Sequence, residues 1–151
     1  MLIAKDIQTL LPSDDADDVL LSIQRIHSER LFSGKKQYEL RKVIPKEPPT
    51  RIFLYEANGE RRISGHLVIS KILFGSPEHV WEATTTKGTT RQRFFDYFAG
   101  FDHAYAYEIA EAIAYDRPIH LEEITKLEPA FQIPQSFVYL EKLSSPESTP
   151  A

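Results

Sequence analysis

The sequence predicts an α+β protein, a small mixed or antiparallel β-barrel with flanking helices. Short β-forming runs recur at 19–24, 36–43, 51–56, 61–74 and 136–141, mostly separated by turn-forming residues. A helical pair interrupts them between residues 76 and 98. In 103–115 (HAYAYEIAEAIAY), large side chains alternate with alanines at a period of two, the signature of a strand with a bulky face and a small one. Alanine propensity alone argues for a helix there; the alternation argues for a strand, and the strand is the expectation.

The elements follow in order. Residues 1–18 begin apolar and pass through Pro12 and Ser13 into an acidic run, which reads as a mobile leader or a short helix. The domain is expected over 19–143, and the small, polar, proline-containing end 144–151 is expected to be disordered. Val19 to Gln24 is a short apolar strand. Residues 25–33 place Ile26, Arg30 and Leu31 at helical spacing, with Gly34 as the stop. A strand over 36–43 precedes a turn-rich stretch with Pro45, Pro48 and Pro49, and 51–56 (RIFLYE) reads as a strand buried on both faces. Asn58-Gly59 predicts a tight type I′ hairpin, and Gly65 predicts a bulge or bend in the long partner strand. Ser76-Pro77-Glu78 starts a helix, as N-cap, first-turn proline and first-turn carboxylate. The polar linker TTTKGTT leads to a second helix over 90–98, halted near Gly100. A short helix from His120 to Lys126 and a last strand at 136–141 complete the chain. No internal repeat is present.

Composition narrows the function. The 151 residues fit one domain, able to bury about two-thirds of its unfolded surface without a staple. There is no cysteine, which excludes disulfides and thiolate metal ligands. No apolar run approaches the roughly 20 residues that span a bilayer, and no signal peptide is seen, so a soluble cytoplasmic protein without a membrane partner is the expectation. The five histidines lack metal-ligand spacing, and no P-loop, dinucleotide fingerprint or Ser-His-Asp pattern occurs; no metal or cofactor is expected. The formal charge is −4, but it is unevenly distributed: residues 35–71 carry nine basic and four acidic side chains, and 96–151 carry three basic and ten acidic. Such a chain can present one basic face to an anion, because charges are felt only within about 8–10 Å in salt. A pair of solvated surfaces explains the same distribution.

The segment Gly34-Lys35-Lys36-Gln37-Tyr38-Glu39-Leu40-Arg41 is the best candidate for chemistry. Glu39 and Arg41 lie two apart on a strand and share a face, so the carboxylate can orient a guanidinium that forks onto a phosphate or base edge. A cross-strand salt bridge beside a solvated lysine pair is the structural alternative. Tyr55, on a strand near the basic segment, is the candidate for base stacking. Trp81, Phe94, Phe95, Tyr97, Phe98 and Phe101 fall at helical spacings and read as core. Thr84–Thr90 reads as a polar linker.

The pattern Gly34, Lys36, Glu39, Arg41 after a helix, and the succession of elements over about 19–141, resemble the ASCH family, whose fold is a PUA-like barrel. The resemblance implies a cleft between the barrel and the helix after the first strand, and a ligand that is RNA, a nucleotide or a modified nucleoside. It implies ligand-binding roles for Lys35, Lys36, Glu39, Arg41, Tyr55, Gln135 and Ser136. Some family members are amidohydrolases of N4-acetylcytidine type, in which a catalytic threonine follows the signature lysine by three residues; here Glu39 stands in that place. Ribonuclease activity is also known in the family. For RNA cleavage the candidates are Lys36 for the developing charge, with Tyr38 or Tyr55, and Ser136, as proton donors and acceptors. A regulatory binding module, a hydrolase and a purely structural interaction domain all remain open at this point.

Overall fold

The computed structural model describes residues 7–13, 18–84, 89–133 and 137–139. Seven strands and four helices occur among them: β1 (Gln8–Leu10), β2 (Val19–Ile23), α1 (Arg25–Phe32), β3 (Tyr38–Arg41), β4 (Arg51–Glu56), β5 (Arg62–Gly75), α2 (Pro77–Thr84), α3 (Arg91–Tyr97), β6 (Ala104–His120), α4 (Leu121–Leu127) and β7 (Phe137–Tyr139). The strands form one mixed sheet in the order β3-β6-β5-β4-β2-β7, with β1 added to β5, curled into a half-barrel with four flanking helices. Only β2 and β4 are parallel; the other pairs are antiparallel. The predicted PUA-like α+β class is the fold observed.

All of 103–115 except His103 is strand, and β6 runs on to His120. The alternation holds from Ala104 to Ile109; past the register shift at Val68/Ile69 it inverts, so that Ala112 packs on the inner cluster and Ile113 is exposed. Tyr107 packs inside the half-barrel with Leu21, Ile52, Leu54, Leu67, Ile69 and Ile72, and Leu31 of α1 closes that cluster. The fully buried Ala104 and Ala106 face the other way, under Val80, Phe94 and Phe98 of α2 and α3. Small side chains on the sheet let two aromatic-bearing helices approach it closely. Thr90 caps α3, its hydroxyl accepting the Arg93 N–H at 3.1 Å. Replacing it by alanine is expected to cost about 1 kcal/mol, a fall of roughly 2–4 °C in melting temperature for a chain of this length, measured by thermal unfolding. Ser76 caps α2 in the same manner, its oxygen accepting the His79 N–H at 3.2 Å.

Three expectations are corrected. Gln8–Leu10 is a strand pairing with Ile72–Phe74, where a mobile or helical segment was expected; its backbone groups find partners on the outer edge of β5. The Asn58-Gly59 turn is not type I′: positive φ occurs at Gly59 (81°) and Arg61 (53°), and residues 57–61 all belong to the connection. The Asn58 side chain is drawn off to α1, where its Oδ1 accepts the Arg25 N–H at 3.4 Å. That contact serves a helix whose own N-cap, Gln24, makes no side-chain bond. Tyr55, expected on a ligand-facing surface, is fully buried among Leu20, Phe131 and the apolar side of α4, edge-on to Phe131 at 6.0 Å. A buried ring has no face to offer a base. The tail 144–151 and the linker residues Lys87 and Gly88 lie outside the described residues.

A candidate basic cleft between α1, β3 and α3

Gly34, at φ +80°, ends α1 and turns the chain into β3. The Lys36 N–H bonds back to the Arg30 carbonyl at 3.1 Å, fixing where the lysine leaves the turn. β3 is an edge strand paired with β6, Tyr38 opposite Glu108 and Arg41 opposite Tyr105. α1 is anchored to the sheet by a buried contact: Ser28 donates its hydroxyl to Glu56 Oε2 at 2.6 Å, and Arg62 Nε binds the other oxygen at 3.1 Å. Between α1, β3 and α3 lies a cavity of about 250 Å³. α1 contributes His27 and Arg30 to its walls; the turn and β3 contribute Lys36 and residues 38–41; Thr89, Arg93, Phe94 and Tyr97 come from α3 and its approach.

At its floor is Glu39, whose side chain is only 3% exposed. One carboxylate oxygen accepts Lys36 Nζ at 2.9 Å; the other accepts Arg41 Nε at 2.8 Å and Nη2 at 2.7 Å. Burial alone would push this carboxyl's pKa up, but the charges and hydrogen bonds of Lys36 and Arg41 outweigh it and hold the pKa below the ordinary glutamate value. Glu39 is therefore ionised at neutral pH, and it fixes the geometry of two cations that remain partly exposed at 16% and 18%. With Arg30 and Arg93, four cationic side chains face one carboxylate across this small space.

His27 shares the wall. Burial first, and then the nearby Lys36 charge, lowers its pKa, so the ring is neutral at pH 7. The Tyr38 hydroxyl donates to Glu108 Oε2 at 3.3 Å, and its pKa is raised, chiefly by burial and then by Glu108. Ionised Glu39, neutral His27 and protonated Tyr38 give a cavity whose charge at neutral pH comes from fixed cations, an arrangement that attracts an anion. Among the described residues, no group of three or more His, Asp or Glu is placed to hold a metal, and no helix is long and apolar enough to cross a membrane.

Of the residues singled out in the sequence, Lys36, Tyr38, Glu39 and Arg41 come together here, whereas Lys35 is exposed and lies off the cavity wall. Gln135 and Ser136 lie outside the described residues. Sequence reasoning missed His27, Arg30, Arg93 and Tyr97. Their spacings, three apart on α1 and four apart on α3, place each pair on one helical face, but nothing local says which face meets β3. Tyr97 and Phe101 were read as core; they are 39% and 43% exposed, and only Phe94 and Phe98 of that helix are fully buried.

No family model matches the chain. A protein of Zymomonas mobilis described as an ASCH domain-containing ribonuclease is 27% identical over 130 residues, 85% of this chain and 87% of that one. The crystal structure of ASCH from Zymomonas mobilis superposes with a TM-score of 0.76 at 26% identity, covering 86% of this chain and 92% of that one. Two variants of the Zymomonas mobilis protein, one with a tyrosine changed to phenylalanine and one with a serine changed to alanine, also match at 0.76. Their identities are 25% and 26%; the first covers 85% of this chain and 93% of its own, the second 87% and 94%.

Proposed function

The chain belongs to the ASCH domain family, and from that premise we propose that it binds RNA, or a nucleotide presented like one, through the cleft between α1, β3 and α3. The observation that carries this reading is the excess of four cationic side chains over one buried carboxylate in a space of about 250 Å³. Phosphate binding from such an array is electrostatic, so it weakens steeply as salt rises. Arg41, held by Glu39, presents a fork to phosphate or a base edge, and Lys36 adds a point charge. Lys35, which is exposed and off the cavity wall, would add only long-range charge, and Gln135 and Ser136 would supply hydrogen bonds to a base.

Measured as binding of a short single-stranded RNA against salt concentration, Lys36→Ala and Arg41→Met are each expected to weaken affinity about tenfold near 0.1 M salt. Each should reduce the slope of log affinity against log salt by about 0.7, one phosphate contact on a single strand. Unchanged affinity and slope in both variants would remove the cleft from the reading.

A second reading, RNA cleavage, is favoured by the ribonuclease description of the Zymomonas mobilis relative. Lys36 would stabilise the developing charge, with Tyr38 and Ser136 moving protons. The residue types altered in the relative, a tyrosine and a serine, are those types. Deacylation of N4-acetylcytidine is less well supported: Lys36 is bound to Glu39, which occupies the place of the threonine used in that chemistry. Product formation lost in Lys36→Ala, with the fold intact, separates the enzyme from the binding module.

A further inference from the structure

Tyr97 is the last residue of α3 and one wall of the cleft. Lys42 Nζ sits over its ring, 4.5 Å from the centroid, and also 4.9 Å from the ring of Phe101. Lys42 is not among the side chains that line the cavity, whereas Tyr97 is. The tyrosine therefore has the ammonium group on one side and the cleft on another, with Phe98 beside it at 75°. A cation over the ring, itself clamped by a second aromatic, sets the orientation of a side chain that is still 39% exposed. Exposed aromatics ordinarily rotate and lose stacking energy to entropy; this one is held in place before any ligand arrives.

We infer that Tyr97, pinned by Lys42, is the stacking wall for one unpaired nucleobase, and that the cleft takes a single extruded nucleotide of a single-stranded RNA. This rests on the RNA reading of the cleft and adds to it the form of the ligand. Three observations converge. The cavity, at about 250 Å³, falls below the roughly 300–1,000 Å³ of ordinary small-molecule sites, a size that suits one nucleotide unit. The cations Lys36, Arg41, Arg30 and Arg93 supply the phosphate-facing part, and Tyr97 is an aromatic wall lying among them. Arg41 lines the same small cavity as the ring, so a guanidinium shares the space that a base stacked on Tyr97 would occupy. A base inside a duplex stack cannot reach such a wall, whereas bases of single strands splay out and stack on aromatic side chains. Tyr55, the stacking residue expected from the sequence, is buried elsewhere; Tyr97 takes that role.

The test uses the full chain and three probes: a short single-stranded RNA with one central 2-aminopurine, the same strand with an abasic site there, and the first strand annealed to its complement. The wild type is expected to quench the 2-aminopurine fluorescence and to bind the abasic strand and the duplex about 10- to 100-fold more weakly, the range that base–aromatic stacking supplies. Tyr97→Phe should keep this preference. Tyr97→Leu should lose it, binding all three probes alike while retaining the wild-type salt slope, since no phosphate contact is removed. Lys42→Met should fall between them. Equal preference for the base-containing strand in wild type and Tyr97→Leu, with Lys36→Ala still weakening both, would overturn the stacking role and leave the cleft reading standing. Absence of any RNA binding by the wild type at low salt would overturn both. Because Tyr97 is exposed, an unchanged circular dichroism melt in each variant is the control for folding.

Discussion

Glu39→Ala is expected to lower the free energy of unfolding by about 3–5 kcal/mol, as breaking a buried ion pair does, and the melting temperature by on the order of 10 °C. The carboxylate is almost wholly buried, and both its oxygens are used by Lys36 and Arg41. Its removal leaves two largely buried cations facing each other without compensation. Glu39→Gln keeps the shape and some hydrogen bonding but loses the charge, so it should fall between alanine and wild type. A triple replacement of Lys36, Glu39 and Arg41 by apolar residues of similar size should recover much of the stability and abolish anion binding. Thermal unfolding of the four proteins separates the cost of an unpaired charge from the value of the pair. The pH dependence has a definite sign. Glu39 has a folded pKa held below its unfolded value, so its contribution is fully present above the ordinary glutamate value of about 4.3 and is lost as pH falls through the lowered pKa. The wild type should therefore lose stability relative to Glu39→Gln only in the acid range. A constant difference between the two from pH 7 down to pH 3 would contradict the assignment.

Gly65→Ala is expected to cost at least about 3 kcal/mol, at the severe end of overpacking, because the collision is with backbone. A Cβ built there lies 2.1 Å from the carbonyl oxygen of Ile113 and 2.7 Å from the ring of Phe32. The first neighbour belongs to β6 in the region where Gly65 pairs with Ala114, so it cannot retreat without breaking the β5–β6 ladder. The second is the last residue of α1, and displacing it shifts the helix that carries His27 and Arg30 into the cleft. A melting temperature lowered by on the order of 10 °C, together with weakened RNA binding, is the expected outcome in unfolding and titration experiments. A melt within a degree or two of wild type would mean that the strands do not approach each other this closely in solution.

Gly65 also shows how far the sequence can be read. As a lone glycine in a long β-forming run it predicted a bend, and the register of β5 does shift between Ile63 and Gly65. That α1 would press Phe32 against that bend was not visible, because the contact joins residues 33 apart in the chain. Asn58-Gly59 shows the opposite outcome. The dipeptide is a strong local hairpin signal, yet the turn lacks the φ values of type I′, and the Asn58 Oδ1 accepts a bond from the start of α1, 33 residues away.

By itself, the sequence determined the order and type of most elements. Alternation, capping residues and glycine stops act over a few residues, so they are legible before any tertiary arrangement is known. It also determined that Glu39 and Arg41 share a face, since strand period demands it. Only the tertiary structure decided which helical faces meet. It buried Tyr55 under α4 and left Tyr97 at a cleft wall, although both are tyrosines among apolar neighbours. It also joined residues 8–10 to the sheet through backbone hydrogen bonds that no side-chain pattern announces. The cleft belongs to this second class. Its walls come from α1, β3 and α3, and the distances among their charges exist only once the sheet has curled and the two helices have packed against it.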